Sequence, residues 1–291
     1  MEKTFETPGS VCLYVENQVG LVAITARETD RTVVSLEADT PEAEELVERA
    51  TVECRPGGGR YLVAVKIPHG HGLRFLRRNA VTVRVEVPEG GQVGVMTASA
   101  DIEINGSVGE ADVTTGSGDV SADDVAADVM AKTASGNVTV GTVGGDIRAS
   151  TASGDLRCSS VGGAAVFSTA SGDLEVGAAG NRVEVKASSG NVRLGDLARG
   201  ARVVNVSGNV RVLSLGEGAL HVRSVSGDVA VGVAKGVDLH VDVETLSGTV
   251  HSDIPLDDAP ARAGRPETRV DLSVRSVSGN VEIGRALEHV A

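Results

Sequence analysis

Gly144–Val176 reads GGDIRASTASGDLRCSSVGGAAVFSTASGDLEV, and within it Thr-Ala-Ser-Gly-Asp occurs twice, eighteen residues apart. The phrase is one turn of a longer count. Ser-Gly followed by Asp or Asn places its glycine at Gly118, Gly136, Gly154, Gly172, Gly190 and Gly208, always 18 apart. The Ser-Gly pair comes again at Gly227, Gly248 and Gly279, at intervals of 19, 21 and 31. Ser99-Ala100-Asp101 stands 18 residues before the first as a degenerate copy, which makes ten units. A fixed period of this length is the mark of stacked repeats, each too small to bury its own apolar face.

A half-period of nine is also present. Apolar residues fall at Ile147, Leu156, Ala165, Leu174, Val183, Val192, Ala201 and Val210, and again two positions on, from Ala149 and Cys158 to Val203 and Val212. A third set follows three further on: Ala152, Val161, Ala170, Ala179, Ser188, Leu197, Val206 and Leu215. Apolar-x-apolar is a half-buried strand, and the step of three breaks the alternation, so each nonapeptide predicts a strand and a corner. Two strands make an ~18-residue coil. The expectation is an all-β, single-chain, two-sheet β-helix, right-handed by the rule for parallel crossovers. Coils ~4.8 Å apart give ten coils a length on the order of 50 Å.

In this frame Ser-Gly-Asp/Asn is a corner. Glycine turns the chain, and Ser, Asp and Asn side chains bond amides the corner leaves over. Stacking sets Gly118, Gly136, Gly154, Gly172, Gly190, Gly208, Gly227 and Gly279 in one column. Asp119, Asn137, Asp155, Asp173, Asn191, Asn209, Asp228 and Asn280 fall in the next. Asn interrupts Asp, which suits amide ladders. A cation ladder is the weaker reading, because the calcium-binding Gly-Gly-x-Gly-x-Asp nonapeptide is absent.

The remaining chain divides into a strand-rich capping segment over 1–90 and a solenoid over 91–291. Val11–Glu16, Gly20–Ala26, Thr32–Ala38, Tyr61–Ile67 and Val81–Val87 alternate like strands. Thr40-Pro41-Glu42 starts a helix that runs over about 41–49. Pro255–Glu267 reads as a loop insertion in the last coil. If coils stack in chain order, the coil at Gly279 is the open end.

Composition narrows the function. The chain has 291 residues, no Trp, three Phe, two Tyr and a net charge of −13. So acidic a chain is not expected to bind nucleic acid, which needs a basic face. Cys12, Cys54 and Cys158 are odd in number and far apart, which favours free thiols. The first residues show no basic region followed by an apolar run, and no stretch reaches the ~20 apolar residues of a membrane helix, so a cytoplasmic location is expected. No catalytic, cofactor or metal constellation is evident: His69 and His71 lack a third ligand, and His221, His240 and His251 are dispersed.

Charge alternates along the repeat, with net −9 over 98–181, +4 over 182–235 and −5 over 236–291. The candidate contact residues are therefore Arg193, Arg202 and Arg211 in the basic stretch. Arg74, Arg77 and Arg78, set among Leu73, Phe75 and Leu76, add a second candidate. The basic stretch suits side-by-side association or an acidic partner, and Arg74, Arg77 and Arg78 suit an anion or a peripheral membrane contact.

The recurrent [Thr/Val]-x-Ser-Gly-[Asp/Asn]-[Val/Ile/Leu] phrase after a short strand-rich segment resembles the bacterial β-strand-repeat family labelled "putative adhesin", a domain of unknown function. The resemblance runs from about Gly20 to Ile283. It implies a β-solenoid, with some relatives tied to envelope stress, and it brings no catalytic residues. The reading is a non-catalytic scaffold or protein-binding rod, with a protein partner or self-association expected and no cofactor. The alternative is a filament subunit stacking end to end. A carbohydrate-active β-helix enzyme ranks last, because Phe167 is the solenoid's only aromatic and sits at a core position.

Overall fold

The computed structural model describes residues 1–68, 79–254 and 268–286. The histidine–arginine stretch at 69–78, the 255–267 insertion and residues 287–291 lie outside the described residues, and with them Arg74, Arg77 and Arg78. The chain is all-β with one short helix, and it divides into two compact units, 1–154 and 155–291.

The first unit contains β1 (Glu2–Glu6), β2 (Ser10–Arg27), β3 (Arg31–Ala38), α1 (Pro41–Glu48), β4 (Thr51–Gly57), β5 (Arg60–Lys66) and β6 (Val81–Pro88). These are followed by β7 (Gln92–Val108), β8 (Glu110–Thr114), β9 (Val120–Val125), β10 (Val129–Lys132), β11 (Val138–Val143) and β12 (Ile147–Ser153). Helix α1 forms where the local chemistry directs: Thr40 Oγ1 accepts the Ala43 N–H at 3.2 Å, Pro41 sets the first φ, and Ala43, Leu46 and Val47 are buried. The antiparallel pairs β1–β3, β3–β6 and β4–β5 lie beyond the parallel layers.

Chain order is not layer order here. Strand β2 runs unbroken through both sheets. Its first half lies between β5 and β7, and its second half between β6 and β7, all parallel. The sequence suggests two short strands, Val11–Glu16 and Gly20–Ala26, inside a cap. They are instead one 18-residue strand that forms a full coil. Gly20 makes this possible: φ is +121° and any Cβ would run into the Val81 backbone.

The second unit contains β13 (Leu156–Val161), β14 (Ala165–Ser171), β15 (Leu174–Ala179), β16 (Val183–Ser189), β17 (Val192–Leu197), β18 (Ala201–Ser207) and β19 (Val210–Leu215). Then come β20 (Gly218–Ser226), β21 (Val229–Val233), β22 (Asp238–Ser247), β23 (Val250–Ser252), β24 (Arg269–Ser278) and β25 (Val281–Arg285). Parallel partners step by eighteen residues, as in Leu156↔Leu174↔Val192↔Val210, and like stacks on like. Buried Leu, Val and Ile rows fill the space between the two sheets, with Phe167 fully enclosed. Each such side chain contributes ~1.5–3 kcal/mol of burial.

Two expectations fail in informative ways. The third apolar position is buried only in the strands that follow the Ser-Gly corner, at Val161, Ala179, Leu197 and Leu215. In the alternate strands strict alternation continues one step further, so Thr151, Thr169, Ala187 and Asn205 face inward. Ala152, Ala170, Ser188 and Val206 then face solvent. The two nonapeptides of a coil are therefore not equivalent.

Stacking also departs from chain order at the end. β24 pairs with both β20 and β22, and β25 with both β21 and β23. The coil containing Gly279 is inserted between the coil of Gly227 and the coil of Gly248. Among the described residues the outermost layer is β22–β23, and burial agrees: Val229 and Val281 are 1% and 0% exposed, whereas Val250 in register with them is 49% exposed.

Candidate functional site

The corner column is a hydrogen-bonded ladder that runs one way. In the first unit the Asp119 N–H donates to Asp101 Oδ1 at 2.9 Å, and the Asn137 N–H to Asp119 Oδ1 at 2.7 Å. In the second, Asp173 donates to Asp155, Asn191 to Asp173, Asn209 to Asn191 and Asp228 to Asn209, at 2.7–3.1 Å. The ladder continues through the rearranged end, with Asn280 donating to Asp228 at 2.8 Å and Thr249 to Asn280 at 3.1 Å. In each of these bonds the acceptor is a side-chain oxygen and the donor a backbone amide. Thr249 stands in the last layer among the described residues, and there Thr replaces Asp or Asn.

This geometry commits one oxygen of each carboxylate to an N–H. The Asp173 amide, with Arg157 2.8 Å from the other Asp155 oxygen, holds the Asp155 carboxyl below the usual range. Among the described residues no three His, Cys, Asp or Glu side chains are grouped as metal ligands. The glycines beside the ladder are sterically required: Gly208 has φ +122°, and a Cβ there would strike the Gly190 carbonyl.

Behind the ladder runs an inward polar column. Thr115 and Thr133 accept the N–H groups of Gly118 and Gly136 at 3.1 and 3.0 Å. In the second unit Asn205 Nδ2 bridges the carbonyls of Gly190 and Gly208 at 3.3 and 2.9 Å. Thr169 Oγ1, Asn205 Oδ1, Ser224 Oγ and Ser276 Oγ are buried without a partner among the described residues. The repeat spacing marked the corner but not this column, because small polar residues in an apolar phase read as corner residues.

The candidate arginines separate. Arg193 and Arg211 are register neighbours on β17 and β19. They line an open groove of about 560 Å³ with Glu175 and Glu282 and the corner residues Asp173 and Asp228, a mixed-charge surface. Arg202 is on the other sheet, in β18, opposite Glu184 on one side and His221 on the other. The single basic stretch of the sequence thus becomes two surfaces.

An exposed apolar ridge was not foreseen. Val206, Val225, Val277 and Leu246 fall in line over four adjacent layers, 47%, 48%, 50% and 88% exposed, and end on the outermost strand β22. Only Val206 of the four belongs to the third apolar set, the position that the repeat marks as the corner.

Among curated proteins none matches the chain. Solved structures do. A putative adhesin from Parabacteroides distasonis ATCC 8503 is 12% identical over 97% of this chain and 96% of its own, with a TM-score of 0.50. A putative adhesin from Bacteroides fragilis NCTC 9343 is 12% identical over 97% and 96%, with a TM-score of 0.39. A putative lipid binding protein from Parabacteroides distasonis ATCC 8503 is 11% identical over 99% and 96%, with a TM-score of 0.33. At these identities the likeness speaks to fold alone. Residues 122–284, more than half of the chain, match the family model described as Toastrack DUF4097, and the chain belongs to that family.

Proposed function

We propose that the chain is a non-catalytic β-solenoid scaffold, with right-handed coils of about eighteen residues, that binds a protein partner. The observation that carries this reading is the ridge Val206–Val225–Val277–Leu246, which adjoins the outermost strand β22. Exposed apolar side chains in a continuous row mark an interaction surface more than scattered ones do. Among the described residues β22 pairs on one side only, with β24. A partner adding a strand there would gain main-chain hydrogen bonds and place apolar side chains against Leu246. The name carried by the Parabacteroides distasonis relative, putative adhesin, agrees with an adhesive role. An assembly or envelope-stress setting rests on family resemblance alone.

A second reading uses the same edge, with a further copy of the chain as the strand donor, and gives filaments. Mass by light scattering over a concentration series, with Leu246→Lys beside the parent protein, separates the two. The scaffold reading expects a constant mass for both proteins. Growth with concentration that Leu246→Lys abolishes favours the filament. A hydrolase or lyase activity lost on a single point substitution would overturn both.

A further inference from the structure

We propose that Arg202, His221, Arg223 and Arg275 form a binding site for a phosphate group, on the sheet opposite the Arg193–Arg211 groove. They surround a depression of about 250 Å³ on β18, β20 and β24. Register places Arg202 beside His221 and then Ser273 in one row, and Val204 beside Arg223 and then Arg275 in the next. Val204 and Ser273 are the short members, so the cationic side chains rise around a low floor. The arrangement is not a simple charge run. It takes residues from three strands, two of them made neighbours by the rearranged coil order.

Several arginines of the protein are held by carboxylates. Arg157 is held by Asp155, Arg269 by Asp271, Arg84 by Glu37 and Arg55 by Glu53. Arg275 has one partner, Glu244, at 3.4 Å. Among the described residues no carboxylate lies within ion-pair distance of Arg202 or Arg223. Guanidinium groups on three adjacent strands around one depression, those of Arg202 and Arg223 without an ion pair among the described residues, suit a ligand that offers oxygens in several directions. A tetrahedral phosphate does so, whereas a planar carboxylate satisfies one fork.

The flanks set the size. Glu184 lies in register beyond Arg202, and Asp242 and Glu244 lie beyond Ser273 and Arg275. Three strands ~4.8 Å apart and two same-face positions ~7 Å apart bound a patch roughly 10 by 7 Å. One or two phosphate groups fit within it. A longer phosphate backbone would meet the acidic pair Asp242 and Glu244 on one side, and on the other Glu184 already paired with Lys186 at 3.2 Å.

The test is calorimetric titration of the full chain with inorganic pyrophosphate, for the parent, Arg202→Gln/Arg223→Gln and Arg193→Gln/Arg211→Gln. Flotation with phosphatidylcholine vesicles, with and without phosphatidate, runs alongside. The expected result is one pyrophosphate per chain, weakened by salt. Loss of about tenfold or more is expected in the Arg202/Arg223 variant, with no change in the Arg193/Arg211 variant. Pyrophosphate binding without flotation assigns a soluble ligand. Phosphatidate-dependent flotation with the same variant pattern assigns a lipid headgroup. Binding to neither probe, or equal binding by the Arg202/Arg223 variant, overturns the proposal.

Discussion

Asn280 Oδ1 accepts the Thr249 backbone N–H at 3.1 Å and the Thr249 hydroxyl at 2.8 Å, so a residue 31 places later in the chain seats an earlier one. Asn280→Ala removes both acceptances and leaves the outermost layer its strand pairing, the Thr245 hydroxyl on the Gly279 carbonyl and the Arg275–Glu244 pair. The expected cost is about 1–3 kcal/mol, confined to β22 and β23. Hydrogen exchange checks it: protection falls over Asp238–Ser252 and stays unchanged over β15–β19.

Asp155 carries a pH dependence. The Asp173 N–H is the main cause of its lowered pKa, with Arg157 adding to it. A carboxyl lowered in the fold contributes stability that is present above its unfolded value of ~3.9, and is lost as pH falls through the folded value. Thermal melts from about pH 5 downward should therefore fall less steeply for Asp155→Asn than for the parent.

The inward polar column predicts opposite outcomes for one substitution type. Thr115 bonds the Gly118 amide, so Thr115→Val should cost about 1–3 kcal/mol. Thr169 Oγ1 is buried without a partner among the described residues, so the isosteric Thr169→Val should be neutral or stabilising. Paired denaturant titrations decide it.

Cys158 is buried beneath β13, and burial pushes its thiol up to about 11. Cys12 and Cys54 are half-exposed. An alkylating reagent at pH 8 should label Cys12 and Cys54 in the folded protein and reach Cys158 only after denaturant is added.

The coil was legible in the sequence because a stacked repeat prints its register directly. Eighteen residues separate Gly190 from Gly208, and the same interval separates their strand partners. The order of the layers was not legible. Val229, Val281 and Val250 present equivalent apolar phases, and any of them can lie on another. The one local sign was Thr249, where the corner residue is Thr in place of Asp or Asn. The split of Arg193 and Arg211 from Arg202 was implicit in the nine-residue half-period, which sends alternate strands to opposite sheets. The floor of the Arg202–Arg223 depression needed Ser273, which the chain delivers from across the 255–267 insertion.

The insertion of β24–β25 beneath β22–β23 also has a consequence for synthesis. When the ribosome has released Ser252, the layer on which that segment will rest has not yet been made. The apolar phase of that segment matches that of β20–β21, so it can rest there in the interim and must yield that place when Arg269–Arg285 arrives. A chain cut after Thr268 would therefore keep the means to close its stack one layer short, with Thr249 set over Asp228 where Asn280 stands in the full chain.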